Sequence, residues 1–127
     1  MSEAEKAQAG RPEGPTIFDK ILDGSIPAKF IHEDEKCVAF KDVAPQAPVH
    51  FLVIPRKRLA MIEEAEDSDQ DLLGHLMLVA NQVARDLGVG EGFRLVINNG
   101  EAVGMTIYHL HLHVMGGKTY AEQGMAG

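Results

Sequence analysis

Cysteine occurs once in these 127 residues, at Cys37, so no intrachain disulfide can form and a reducing compartment is expected. Positive charge is scarce. Twelve lysines and arginines stand against nineteen acids, and the net charge of -7 opposes non-specific attraction to nucleic acid or anionic membranes. The first fifteen residues have no apolar segment, so they read as neither secretory signal nor membrane anchor. Glu3, Glu5 and Glu13 carry the wrong charge for a transit peptide. These absences predict a disordered tail over residues 1–15, one domain over 16–127 and a cytoplasmic protein, with a nuclear location as the alternative. No internal repeat, low-complexity block, C-x-x-C or H-E-x-x-H motif is present.

What the chain does have is histidine at every second position near its end, in His109-Leu110-His111-Leu112-His113-Val114-Met115. A period of two is the side-chain period of a strand. Leu110, Leu112 and Val114 then face a core while His109, His111 and His113 line a cleft. Imidazole titrates near neutral pH, so the row offers nucleophile, proton donor and anion-binding group close together. Zinc is the first rival, because histidine is the commonest zinc ligand. Spacing counts against a three-histidine site. At about 3.3 Å per residue, His109 and His113 stand about 13 Å apart, whereas ligands of one zinc lie within about 2.1 Å of it. No cofactor is expected. A solvated strand face is the plain alternative.

The surroundings favour a phosphate site. Gly104 lets the backbone approach a ligand, and Thr106 supplies both a hydroxyl and an N–H. Phe93 to Asn98 reads as a strand stopped by Asn98-Asn99-Gly100, which can set Asn98 opposite the histidines.

The signature H-φ-H-φ-H-φ-φ over residues 109–115 resembles that of the histidine triad proteins. Thr16-Ile-Phe-Asp-Lys-Ile21, Ile26-Pro-Ala-Lys29, Ala39-Phe-Lys-Asp-Val43, Pro45-Gln-Ala-Pro48, His50-Phe-Leu-Val-Ile-Pro55 and Leu73-Gly-His-Leu-Met77 look like the Hint branch of purine nucleoside phosphoramidases, in that family's order. The resemblance implies hydrolysis of the P–N bond of adenosine 5′-phosphoramidate to a purine nucleoside monophosphate and an amine. It makes His111 the nucleophile of a nucleotidyl-imidazole intermediate. His113 would contact the phosphate and protonate the departing nitrogen, and His109 would hold the cluster's hydrogen bonds. His50, Asn98, Gly104 and Thr106 would complete the site, Asp42 would accept the ribose hydroxyls, and Ile17, Phe18, Ile21, Phe40, Val43 and Leu52 would sandwich the base.

It also implies a nucleotide partner such as AMP or GMP, and a homodimer whose two sheets join into ten strands. A dinucleoside polyphosphate hydrolase and a weakly catalytic nucleotide-binding regulatory dimer are the alternatives. The chain departs from the Hint pattern in three places. Met105 stands where glutamine is common, Lys41 where histidine is common, and the tail after Gly117 lacks the eukaryotic tryptophan-proline ending.

Read for elements, the chain predicts an α+β layer. A short helix runs from about Phe18 to Asp23, capped by Thr16 and ended by Gly24. Five antiparallel strands follow at Lys29–Asp34, Cys37–Lys41, Val49–Pro55, Phe93–Asn98 and Tyr108–Gly116, with helices on one face. A long helix starts near Asp69, capped by Asp67 or Ser68. It buries Leu72, Leu73, Leu76, Met77, Ala80, Val83, Ala84 and Leu87 before Gly88 stops it. The glycines of residues 88–92 follow a helix and precede a strand, the reverse of a dinucleotide-binding loop. Cys37 is read as packing, and His32 and His75 as structural.

Overall fold

Thr16 begins the first helix with a reciprocal capping box. Its hydroxyl accepts from the Phe18 N–H at 3.1 Å, and the Asp19 carboxylate accepts from the Thr16 N–H at 2.7 Å. This helix, α1, spans Ile17–Leu22, and Gly24 follows it at φ 86°, a conformation that strains any other residue. The structure, a computed structural model, describes residues 14–118. The expected disordered tail, apart from residues 14 and 15, and the C-terminal ending after Lys118 lie outside the described residues.

Five strands form one antiparallel sheet: β1 (Phe30–Glu33), β2 (Cys37–Lys41), β3 (Val49–Pro55), β4 (Phe93–Val96) and β5 (Leu112–Gly116), in the order β1-β2-β3-β5-β4. One long helix, α2, spans Gln70–Asp86 between β3 and β4. The expected α+β class, five antiparallel strands with one short and one long helix, is what the chain adopts.

The helices do not share a face as expected. Cys37, Ala39, Phe51, Val53, Leu112 and Val114 pack against Leu76, Val79, Ala80, Val83 and Ala84 of α2. Val38, Phe40, Leu52 and Ile54 point the other way and meet Phe18 and Ile21 of α1. β2 and β3 are apolar at nearly every position rather than at every second one, so both of their faces need a cover. Each fully buried large side chain in these clusters contributes about 1.5–3 kcal/mol.

Several boundaries differ from the sequence reading; α1 and β1 (expected at Phe18–Asp23 and Lys29–Asp34) are each displaced or trimmed by one residue. A 3-10 turn over Asp67–Asp69 precedes α2, and its capping box is formed by Glu66 and Asp69, not by Asp67 or Ser68. The Asp69 carboxylate accepts from the Glu66 N–H at 2.9 Å and is also paired with Lys57. Within α2, Met77 is half exposed while Val79 takes a buried place. β4 ends at Val96 and β5 begins at Leu112, both shorter than the periodicity predicts.

Gly88, at φ 82°, turns the chain after α2 so that Val89 closes over the end of β5. A Cβ placed on Gly116 would stand 2.8 Å from the Val89 Cβ. That atom cannot swing aside. Gly116→Ala is therefore expected to destabilise the fold by about 1–3 kcal/mol, read as a lower urea midpoint with an unchanged slope.

Candidate active site

The approach to β5 is set from outside the sheet. The Leu110 N–H donates to the Leu59 carbonyl at 2.7 Å, which draws residues 109–111 off the ladder. Pairing starts only at Leu112, opposite Val53, with His113 between Leu52 and Val96. His109, at the bend, is fully buried and does not line the cleft with the other two histidines. Its Nε2–H donates to the Pro55 carbonyl at 2.8 Å, and its ring lies edge-on to Phe18 at 6.0 Å. Its Nδ1 is buried without a hydrogen-bond partner, 3.8 Å from an Asp19 oxygen.

His111 and His113 sit on the α1 side of the sheet, with ring centres 5.1 Å apart. The His111 Nδ1 lies 2.8 Å from the His109 carbonyl. A carbonyl only accepts, so Nδ1 carries the proton and Nε2 presents a lone pair. Phe18 stacks edge-on against the same ring at 5.1 Å and fixes its plane.

A second chain of bonds sets the other tautomers. The Gln46 N–H donates to the His50 Nδ1 at 3.0 Å, so the His50 proton resides on Nε2. That Nε2–H donates to the His113 Nδ1 at 3.0 Å, which leaves the His113 proton on Nε2. The site therefore holds one imidazole with a free lone pair beside one with a free N–H. The Pro45-Gln-Ala-Pro48 turn supplies the first donor of the relay, a main-chain contribution that residue types do not reveal. The Leu59 carbonyl is a second such contribution.

Burial keeps these rings neutral. Desolvation lowers the pKa of His109 and of His111, and it pushes His113 from the ordinary 6.5 to about 4, helped by the neighbouring His111 and His50. The unfolded chain then binds these protons before the folded chain does. Stability is expected to fall as pH drops from about 6.5 toward 4, with His113 alone worth up to about 3 kcal/mol. Asp34 is shifted well below the usual carboxylate range by hydrogen bonds from His32, Lys36, His75 and Cys37, which outweigh its burial, so a further loss follows below pH 3.8. Urea midpoints at pH 7, 5 and 3.5 measure both stages.

Asp42, at the end of β2, faces the same relay. One oxygen accepts from the Ala44 N–H at 2.8 Å, and the other lies 3.4 Å from His50 Nε2 and 3.9 Å from His113 Nδ1. Asn98 lies two residues beyond β4, at the level of His111 if the pairing of Val96 with His113 is extended. Gly104 adopts φ 77°, and Thr106 beside it is exposed. Met105 is buried, and its sulfur accepts the Gly100 N–H at 3.3 Å, so this side chain holds its own loop together.

The apolar residues divide into a floor and a rim. Phe18, Ile21, Phe40 and Leu52 are buried, whereas Ile17 is half exposed and Val43 fully exposed. Ile17, Ile21, Phe40 and Val43 line a cavity of about 470 Å³ together with Ile26, Lys29 and Lys41. Phe18 and Leu52 do not line it. Asp42, His50 and His113 also offer three ligand atoms within 4.8 Å of one another. Both His50 nitrogens are already committed, so a cation there would have to break the relay.

The chain is similar to known proteins in both sequence and fold. Residues 23–120 match the HIT domain. An uncharacterized HIT-like protein of Synechocystis is 57% identical over 106 residues, covering 84% of this chain and 93% of the relative. The Arabidopsis thaliana protein named adenylylsulfatase HINT1 is 46% identical over 120 residues, covering 92% of this chain and 82% of its own length. The crystal structure of a HIT family hydrolase from Legionella pneumophila superposes with a TM-score of 0.80 at 42% identity, covering 83% of this chain and 95% of that one. By sequence, by fold and by the histidine row at residues 109–113, the chain belongs to the HIT domain family.

Proposed function

We propose that the protein is a nucleotidyl hydrolase that cleaves the P–N bond of adenosine 5′-phosphoramidate-type substrates through a covalent intermediate on His111. The pair of fixed tautomers carries the reading: a lone pair on His111 Nε2 beside an N–H on His113 Nε2. His111 Nε2 forms a bond to phosphorus as the P–N bond breaks. The electron pair leaves with nitrogen, which takes the Nε2 proton of His113, protonated to the imidazolium when the anionic phosphate binds beside it, so that His113 returns to the neutral ring. Water then attacks the nucleotidyl-imidazole, His111 departs as a neutral ring, and the water's proton restores His113.

Asp42 serves as ribose-hydroxyl acceptor through the oxygen not bonded to Ala44. The cavity of Ile17, Ile21, Phe40 and Val43 takes the purine. Thr106, Gly104 and Asn98 contact the phosphate. No step requires a cofactor.

A second reading has an observation of its own. With His113 lowered to about 4 and Met105 unable to donate, the unliganded site is poorly supplied with acid. It suits a leaving group that departs as a stable anion. The name of the Arabidopsis relative, an adenylylsulfatase, points to the same chemistry with sulfate leaving. Steady-state hydrolysis of adenosine 5′-phosphoramidate and of adenylyl sulfate, both with EDTA, tests the proposal. Turnover of the first supports it, turnover of the second alone selects the second reading, and tight AMP binding without turnover of either leaves a binding module.

We also propose a homodimer joined along β4. That strand is the sheet edge next to β5, and it is only half covered. Sedimentation showing only monomer at micromolar concentration would remove this part of the proposal.

A further inference from the structure

On the α2 side of the sheet, away from His111 and His113, four metal-ligating side chains converge that the hydrolytic reading does not use. His32 lies on β1 opposite Ala39, Asp34 and Cys37 flank the β1–β2 turn, and His75 projects from α2. The Asp34 Oδ2 lies 2.6 Å from His32 Nε2, 2.7 Å from His75 Nε2 and 3.6 Å from the Cys37 sulfur. The donor atoms of His32, Asp34 and Cys37 all fall within 4.8 Å of one another.

From this convergence we infer that His32, Asp34, Cys37 and His75 form a binding site for a thiophilic divalent cation of the zinc class. Two imidazoles, one carboxylate and one thiolate are a donor set that zinc accepts, whereas calcium and magnesium select oxygen. The carboxylate is already oriented. Its Oδ1 accepts from the Lys36 and Cys37 N–H groups at 2.7 and 2.9 Å, which turns Oδ2, the oxygen on which the imidazoles and the thiol converge, toward the site as the ligand atom.

The spacing of His32, Asp34 and Cys37 is close to what a metal needs. Ligands about 2.0–2.3 Å from a tetrahedral metal stand about 3.3–3.8 Å from one another, so the His32 ring draws back from Asp34 by less than about 1 Å, while His75, which lies outside that group of three, swings in to complete the set. His32, Asp34 and His75 are each about one-third exposed, which gives the ion an entry path, while the sulfur lies at the buried end. Arg56 is the neighbouring cation. It is held by the Asp34 carbonyl at 2.9 Å and by Glu33 at 3.0 Å.

Protons balance simply. Each imidazole presents Nε2 to the metal and carries its proton on Nδ1, and the Cys37 thiol releases one proton to solvent as the metal–sulfur bond forms. Burial and the Asp34 carboxylate hold that thiol up at about 12 in the free protein, so proton release marks metal binding.

Cobalt(II), titrated into the full chain, is the test, because a cobalt–thiolate bond has its own charge-transfer absorption. One equivalent is expected to bind with that band and with tetrahedral ligand-field bands, and zinc should displace it. His32→Gln, on the half-exposed β1 strand, keeps the thiol and is expected to weaken binding at least tenfold; Cys37→Ser should abolish the charge-transfer band. His113→Ala should leave both unchanged. Binding without the thiolate band, binding lost in His113→Ala but kept in His32→Gln, or no binding would each overturn the assignment and leave the cluster a hydrogen-bond hub.

Discussion

His111→Ala is expected to lower turnover of adenosine 5′-phosphoramidate by at least about 10³-fold while AMP binding changes by less than about tenfold. In the proposed reaction the lone pair on His111 Nε2 is the nucleophile, and its presentation depends on the Nδ1–H bond to the His109 carbonyl. No neighbour can replace it. His113 shows an N–H to the cleft, the His50 nitrogens are both committed, and His109 is buried against Pro55. A 10³-fold loss corresponds to about 4 kcal/mol of transition-state stabilisation. Binding is expected to survive because the cavity proposed for the purine and Asp42, the proposed ribose acceptor, do not depend on the His111 ring. Single-turnover rates and AMP titration by calorimetry separate the two quantities.

His113→Ala is expected to divide substrates by leaving group. An amine cannot depart as an anion, so loss of the His113 N–H should lower P–N cleavage by about 10²–10⁴-fold. Sulfate departs without a proton, so adenylyl sulfate cleavage should fall by less than about tenfold. His50→Ala removes the donor that fixes the His113 tautomer and should show the same split in weaker form. Equal losses on both substrates would assign His113 to phosphate binding alone.

Much of the fold was legible because local pattern and tertiary demand agree. Cys37–Lys41 and Val49–Pro55 are strands with the boundaries read from sequence, since their continuous apolar runs are bounded by turn residues. That continuity also contained the point that was missed, because a strand apolar on both faces needs helices on both. The histidine row was harder. Alternation predicted three imidazoles lining one cleft; all three rings lie on the α1 side, but only His111 and His113 reach the cleft. His109 is buried between Phe18 and the Pro55 carbonyl, just before the point where Leu59, far away in sequence, takes the Leu110 N–H.

In α2, Met77 fits the stripe by position but lies half exposed, and Val79 replaces it. The candidate site was legible as residue types and not as tautomers. His50 was named through the resemblance to the histidine triad proteins, but its bond to the Gln46 main chain has no sequence signature. The pairing of Asp34 with His32 and His75 was equally hidden, because it joins a hairpin to a helix whose register against the sheet is set by packing.

The stereochemical course at phosphorus tests the central claim most directly. With a substrate made chiral at phosphorus by isotopic or sulfur substitution, attack by His111 followed by attack of water gives two in-line displacements and net retention of configuration. Retention in the wild type, with turnover lost in His111→Ala, is the predicted result. Inversion would mean a single direct attack by water and would contradict the nucleotidyl-His111 intermediate.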